Sequence, residues 1–103
     1  MAPPTLLSRG ESGHGLRELR RANALLPDMT ETLVELGKAE AASGDPAQAE
    51  AAWRKVVEME PKSGLAETAH FQLSQLYRRL KRPADADREL TRFRELKAKR
   101  DAK

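Results

Sequence analysis

The 103 residues contain no cysteine and no isoleucine, valine is rare, and only four aromatic rings are present: Trp53, Phe71, Tyr77 and Phe93. Without cysteine, disulfides and thiolate metal sites are excluded. Ala, Leu, Arg, Lys and Glu dominate, and with so few β-branched residues helix is favoured over strand. A core short of rings must be built mostly from Leu, Val and Ala. No segment approaches the roughly 20 apolar residues that a membrane span needs. The opening MAPPTLLSRGESG lacks the basic and apolar regions of a signal peptide. These absences predict one soluble all-α domain, with no membrane association and the cytoplasm favoured.

What charge there is lies unevenly. Residues 1–75 hold 8 Lys/Arg against 11 Asp/Glu, whereas residues 76–103 hold 11 against 5. The basic end is therefore the candidate surface for acidic partners.

Two patterns recur. Ala49, Trp53, Val56 and Met59 return 37 residues later as Ala86, Leu90, Phe93 and Leu96, and 34 residues earlier as Gly15, Leu19, Ala22 and Leu25. Leu33, Leu36, Gly37 and Glu40 return after 37 residues as His70, Leu73, Ser74 and Tyr77. The first quartets fall at i, i+4, i+7, i+10 and the second at i, i+3, i+4, i+7, so each marks one face of a helix. The unit is thus two helices, joined by SGDP in one copy and LKRP in the other.

Helices are predicted near 14–26, 29–43, 46–59, 64–81 and 83–100. Residues 1–13 are read as an irregular segment, 14–100 as the repeat domain and 101–103 as a tail. Asp28 with Glu31 suggests a capping box, and Asp45, Pro46 and Gln48 stand in the order of an N-cap, a first-turn proline and a third-position amide. Gly44 suits a helix end. Gly37 lies inside a helix, where glycine costs about 1 kcal/mol relative to alanine, so the fold must need a missing side chain there.

Leu33, Leu36, Gly37, Glu40, Ala49, Trp53, Val56 and Pro61 resemble the tetratricopeptide repeat family, whose unit of about 34 residues reads W-x2-L-G-x2-Y, then A-x3-F, then P. The resemblance covers residues 14–100. It implies antiparallel helix pairs stacked as a short right-handed α-solenoid, two complete units preceded by the second helix of a partial one. It also implies that Gly37 and Ser74 allow close helix packing. The chain departs from the family pattern in three ways. Glu40 stands where an aromatic is usual, and three extra residues separate Pro61 from Leu73, most simply as a longer helix. The pattern at Gly15 to Pro27 has no first helix before it. That leaves an apolar stripe, Leu16, Leu19, Ala22, Leu25 and Leu26, for which a homodimer through the helix near 14–26 is one cover.

Chemistry is sparsely provided. His70 and Ser74 are one turn apart, but both belong to the packing face, and His14 has no partner at useful spacing. Two histidines 56 residues apart do not make a metal site. In the run Asp85, Asp87 and Glu89, residues two apart point to different faces of one helix. No lysine-bearing glycine loop follows a strand, so no phosphate loop is present. No enzyme activity, cofactor or metal is expected.

The resemblance places a peptide or partner helix in a concave groove lined by the first helix of each pair: Glu31, Val34, Glu35 and Lys38, then Thr68, Phe71, Gln72, Gln75, Arg78 and Arg79. Phe71 is either an exposed anchor in that groove or a ring packed on the neighbouring helix. Val34 occupies the place of the first lysine in the carboxylate clamp of some members, so that specialisation is not expected. One alternative is that the last helix, with Arg88, Arg92, Arg94, Lys97, Lys99 and Arg100, binds an acidic protein surface or nucleic acid, the latter disfavoured. Another is that the chain is the repeat portion of a larger enzyme or assembly factor. Steep salt dependence would mark phosphate binding.

Overall fold

The computed structural model describes the backbone of residues 4–102 and the side chains from Gly15 onward. Five helices run in order, α1 (Pro4–Leu25), α2 (Thr30–Ala42), α3 (Pro46–Met59), α4 (Gly64–Arg79) and α5 (Pro83–Asp101), with no strand among the described residues. The all-α expectation holds. Each helix packs on the next, and α2 also touches α4. The pairs are antiparallel. Thr30 meets Glu60 and Val34 meets Trp53 between α2 and α3, while Glu67 meets Arg100 and Phe71 meets Phe93 between α4 and α5.

The two pairs are built alike. α3 and α5 each begin at a proline, Pro46 and Pro83, in a first helical turn that has no use for the missing N–H. α4 is 16 residues long against 13 for α2, so the three extra residues extend α4 at its start. Asp45 caps α3 by accepting from the Gln48 amide at 3.2 Å, and Ser63 caps α4 by accepting from Ala66 at 3.0 Å.

Both first helices end in the same hydrogen-bond pattern. After α2, Asp45 N–H bonds Glu40 O (2.9 Å) and Gly44 N–H bonds Ala41 O (3.2 Å) around Gly44 at φ 92°. After α4, Arg82 N–H bonds Tyr77 O (2.8 Å) and Lys81 N–H bonds Arg78 O (3.1 Å) around Lys81 at φ 60°. This is the left-handed close that favours glycine, yet the second copy uses lysine. Lys81→Gly is expected to raise stability by about 0.5–1 kcal/mol by relieving the Cβ strain. An unchanged or lower chemical-denaturation midpoint would count against it.

Two local expectations are corrected. Residues 4–13 are helical rather than irregular, residues 1–3 lying outside the described residues. Extending a helix already packed downstream adds a hydrogen bond per residue without a new nucleus, which outweighs the glycines. The capping box at Asp28 and Glu31 does not form either. Met29 is the N-cap of α2, without a side-chain bond. Asp28, in the left-handed region at φ 63°, spends its carboxylate on Lys55 of α3 at 2.8 Å.

The core runs between the pairs. Trp53, Val56, Leu73 and Tyr77 are fully buried, with Leu33, Val34, Ala49, Ala69 and Ala86 around them. The indole of Trp53 occupies the space where a Gly37 side chain would be: an added Cβ would stand 2.5 Å from Cε2 and 2.7 Å from Cδ1. Its Nε1–H donates to the Val34 carbonyl at 3.2 Å, which fixes the ring there. Gly37 thus makes room for an indole. Glu40, buried where the family pattern favours an aromatic, is held from α1 by both guanidinium arms of Arg20 at 3.1 and 2.8 Å. That bond and the Glu40 charge make the guanidinium harder to deprotonate.

Candidate functional site

The residues expected to line a groove form two rows, not one. On α4, Phe71 and Arg78 occupy one flank, two turns apart, in line with Glu67, which was not among the expected residues. Glu67 binds Arg100 of α5 at 3.0 Å and Phe71 packs on Phe93 of α5, ring centroids 5.2 Å apart and tilted 48°. Arg78 borders a recess with Pro83 and Ala86. Shifted by one residue, Thr68, Gln72, Gln75 and Arg79 form the next row round the helix. Thr68, Gln72 and Gln75 are half-buried and Arg79 is exposed. Their counterparts on α2, 37 residues earlier, are Glu31, Glu35 and Lys38, all exposed, with Lys38 and Glu35 paired at 3.3 Å. These seven side chains are the surviving candidate face.

Val34 is removed from it. With 3% exposure it belongs to the core, because α2 has α4 as well as α3 against it. Phe71 is the same position in the second pair, and its α5 neighbour leaves it 38% exposed. The aromatic is therefore both half-packed and accessible, on the α5 flank and away from the α2 row. Phe71→Ala is expected to cost about 1–2 kcal/mol, from lost burial and the lost ring contact. A melting temperature unchanged from wild type would show that the Phe71–Phe93 contact contributes nothing.

The titratable groups of the packing face form a network across three helices. His70 Nδ1 lies 2.7 Å from Glu89 Oε1, and Arg54 of α3 reaches Glu89 Oε2 at 3.1 Å. Arg54 also donates to the Tyr77 hydroxyl at 2.6 Å, which donates to Glu50. The Arg82 guanidinium covers the Tyr77 ring at 4.5 Å from its centroid. Burial would raise the Glu89 carboxyl, but the hydrogen bond with His70 and the charge of Arg54 outweigh it and hold the group below the usual carboxylate range. Burial, then Glu50, push the Tyr77 phenol up against the opposing pull of Arg54. No buried side-chain polar atom among the described residues lacks a partner, so the network reads as a satisfied structural one.

The His70 and Ser74 pair does not assemble. His70 turns to Glu89, and the Ser74 hydroxyl donates to the Phe71 carbonyl at 2.6 Å. Asp85 binds Arg82 and Arg88, and Glu89 points inward, so the acidic run is dispersed among separate partners. Sequence reasoning missed Arg54 and Arg20. Both sit outside the repeating apolar positions, and only the 37-residue register, which brings Glu40 and Tyr77 into equivalence, marks where a buried polar group would need them. Among the described residues no group of three His, Cys, Asp or Glu is placed to hold a metal ion, and no helix is long and apolar enough to cross a membrane.

On the α1 stripe, Leu16 is buried and Leu19 half-buried, while Leu25 and Leu26 stay 73% and 63% exposed. Comparison of the chain with protein-family models and with curated protein sequences gives no match.

Proposed function

We propose that the chain is a short helical-repeat module of tetratricopeptide type, a non-catalytic binder that holds a peptide or a partner's helix against the α2 and α4 rows. The observation that carries this is the register. Helix starts at Pro46 and Pro83, closing turns at Gly44 and Lys81, and the rows Glu31–Glu35–Lys38 and Thr68–Gln72–Gln75 all repeat at 37 residues. Such repetition, with α2 touching α4, is how stacked helix pairs present equivalent side chains along one extended face. Amides and charges of both signs on that face suit a polar or mixed-charge segment.

The test is selection of binders from a random peptide library, followed by amide chemical-shift mapping. Shifts clustered on Glu31, Glu35, Lys38, Thr68, Gln72, Gln75 and Arg79 support the reading. A library that yields no binder, or binders that shift only other residues, overturns it.

Self-association is a second reading, favoured by the exposure of Leu25 and Leu26 beside Met29 at 48%. Matching patches on two copies would close a two-fold contact. Light scattering should then show a dimer at tens of micromolar that Leu25→Glu converts to monomer. A monomeric wild type excludes it.

A further inference from the structure

We propose that the trough between α3 and α5 is a second docking surface, for an acidic peptide segment that carries an apolar residue among its carboxylates. It shares no residue with the α2 and α4 rows, and it does not depend on their role. Among the described residues, α3 and α5 do not pack directly on one another; both lean on α4 and are bridged by Arg54 and Glu89. The cleft left between them has a volume of about 450 Å³. Lys62, Arg88, Arg92 and Lys99 stand around it, and Val57 and Leu96 supply an apolar part of its wall. A second recess of about 300 Å³ shares Lys62, Leu96 and Lys99 and continues the trough.

The charge is unbalanced. Of the two carboxylates in the cleft, Glu89 is engaged by Arg54 and His70, and Glu95 lies 4.0 Å from Arg92. Among the described residues Lys62 and Lys99 have no acidic partner, although both border both recesses. Low-dielectric walls around like charges concentrate the field in a cleft, so a carboxylate entering here gains more than it would on open surface. Arg88, Arg92 and Lys99 follow one ridge of α5 at i, i+4 and i+11. That ridge is roughly 16 Å long at 1.5 Å per residue, which matches about five residues of extended peptide.

The occupant is a peptide rather than a nucleic acid for two reasons. Among the described residues no Phe, Tyr or Trp borders either recess, and the His70 imidazole at the wall of the larger one is buried and bonded to Glu89, whereas single strands are held by stacking bases on accessible rings. The apolar contacts at Val57 and Leu96 give a phosphate backbone nothing, but they would receive a leucine-sized side chain.

The experiment titrates the full chain with a labelled, capped peptide of Asp and Glu around one central Leu, at low salt, read by anisotropy. Lys62→Glu with Lys99→Glu reverses two cations that have no acidic partner among the described residues, so helix content should be largely retained while affinity drops about tenfold or more. Exchanging the peptide's Leu for Gln should weaken binding about threefold or more, the scale of losing one partly buried side chain. Gln72→Lys, on the other face, should leave binding unaltered. The proposal is overturned if the charge-reversed variant or the Gln peptide binds as well as its parent. It is also overturned if Gln72→Lys abolishes binding, if an oligothymidylate binds more tightly than the peptide, or if the peptide does not bind.

Discussion

Gly37→Ala is expected to lower the melting temperature, although alanine is the better helix former by about 1 kcal/mol. The new methyl would stand 2.5 Å from Trp53 Cε2 and 2.7 Å from Cδ1. The indole cannot yield, being fully buried and hydrogen-bonded to Val34 O. Overpacking of this kind costs about 1–3 kcal/mol after relaxation, and leucine would cost more than alanine. For a domain of this size each kcal/mol lost lowers the melting temperature by about 4–8 °C.

The second helix pair indicates the compensating change. There Ser74 stands in place of Gly37 and Leu90 in place of Trp53, so a larger first residue accompanies a smaller second one. In a double-mutant cycle, Gly37→Ser with Trp53→Leu should therefore be less destabilised than the sum of its parts, by about 0.5–3 kcal/mol. Thermal melts followed by circular dichroism decide both points. Gly37→Ala melting at or above wild type would sink the close-approach explanation, and strict additivity would sink the pairing.

Glu89→Leu is expected to be the most damaging change on α5. Removing one member of a fully buried ion pair costs about 3–5 kcal/mol, because the partner is left uncompensated. Arg54 is 40% exposed and can turn to water, whereas His70, at 8%, cannot. A loss of about 2–3 kcal/mol in chemical denaturation is therefore expected. The same site fixes a pH dependence. The folded state holds the Glu89 carboxyl below its ordinary range, so the unfolded chain takes up this proton first as pH falls. The stabilisation is then complete above about pH 5 and is lost as pH falls through the depressed folded value. Over that acid range the stability difference between wild type and Glu89→Gln should shrink. A difference that stays constant from about pH 6 to pH 3 would remove Glu89 from the linkage.

Helix number, the 37-residue register, the three residues added to α4 and the special role of Gly37 were all legible in the sequence. They rest on periodicity and on local backbone chemistry, and both are written in neighbouring residues. Val34 and Phe71 show where this stops. They share one register position, so no local pattern separates them. One is core, on a helix packed against α1, α3 and α4, and the other is half-exposed, its ring resting on Phe93 of α5. Asp28 likewise carries a cap signature in sequence, but Lys55, brought close by the fold, takes its carboxylate.

The network of His70, Glu89, Arg54, Tyr77 and Glu50 joins three helices, and the basic trough pairs α5 with the end of α3. Neither could be drawn from spacing along the chain. By itself the sequence determined which face of each helix is apolar, since 3.6 residues per turn convert spacing directly into direction. Only the tertiary structure decided which flanks are covered and which charges face one another, because those depend on separations in space between residues 19 or more apart in the chain.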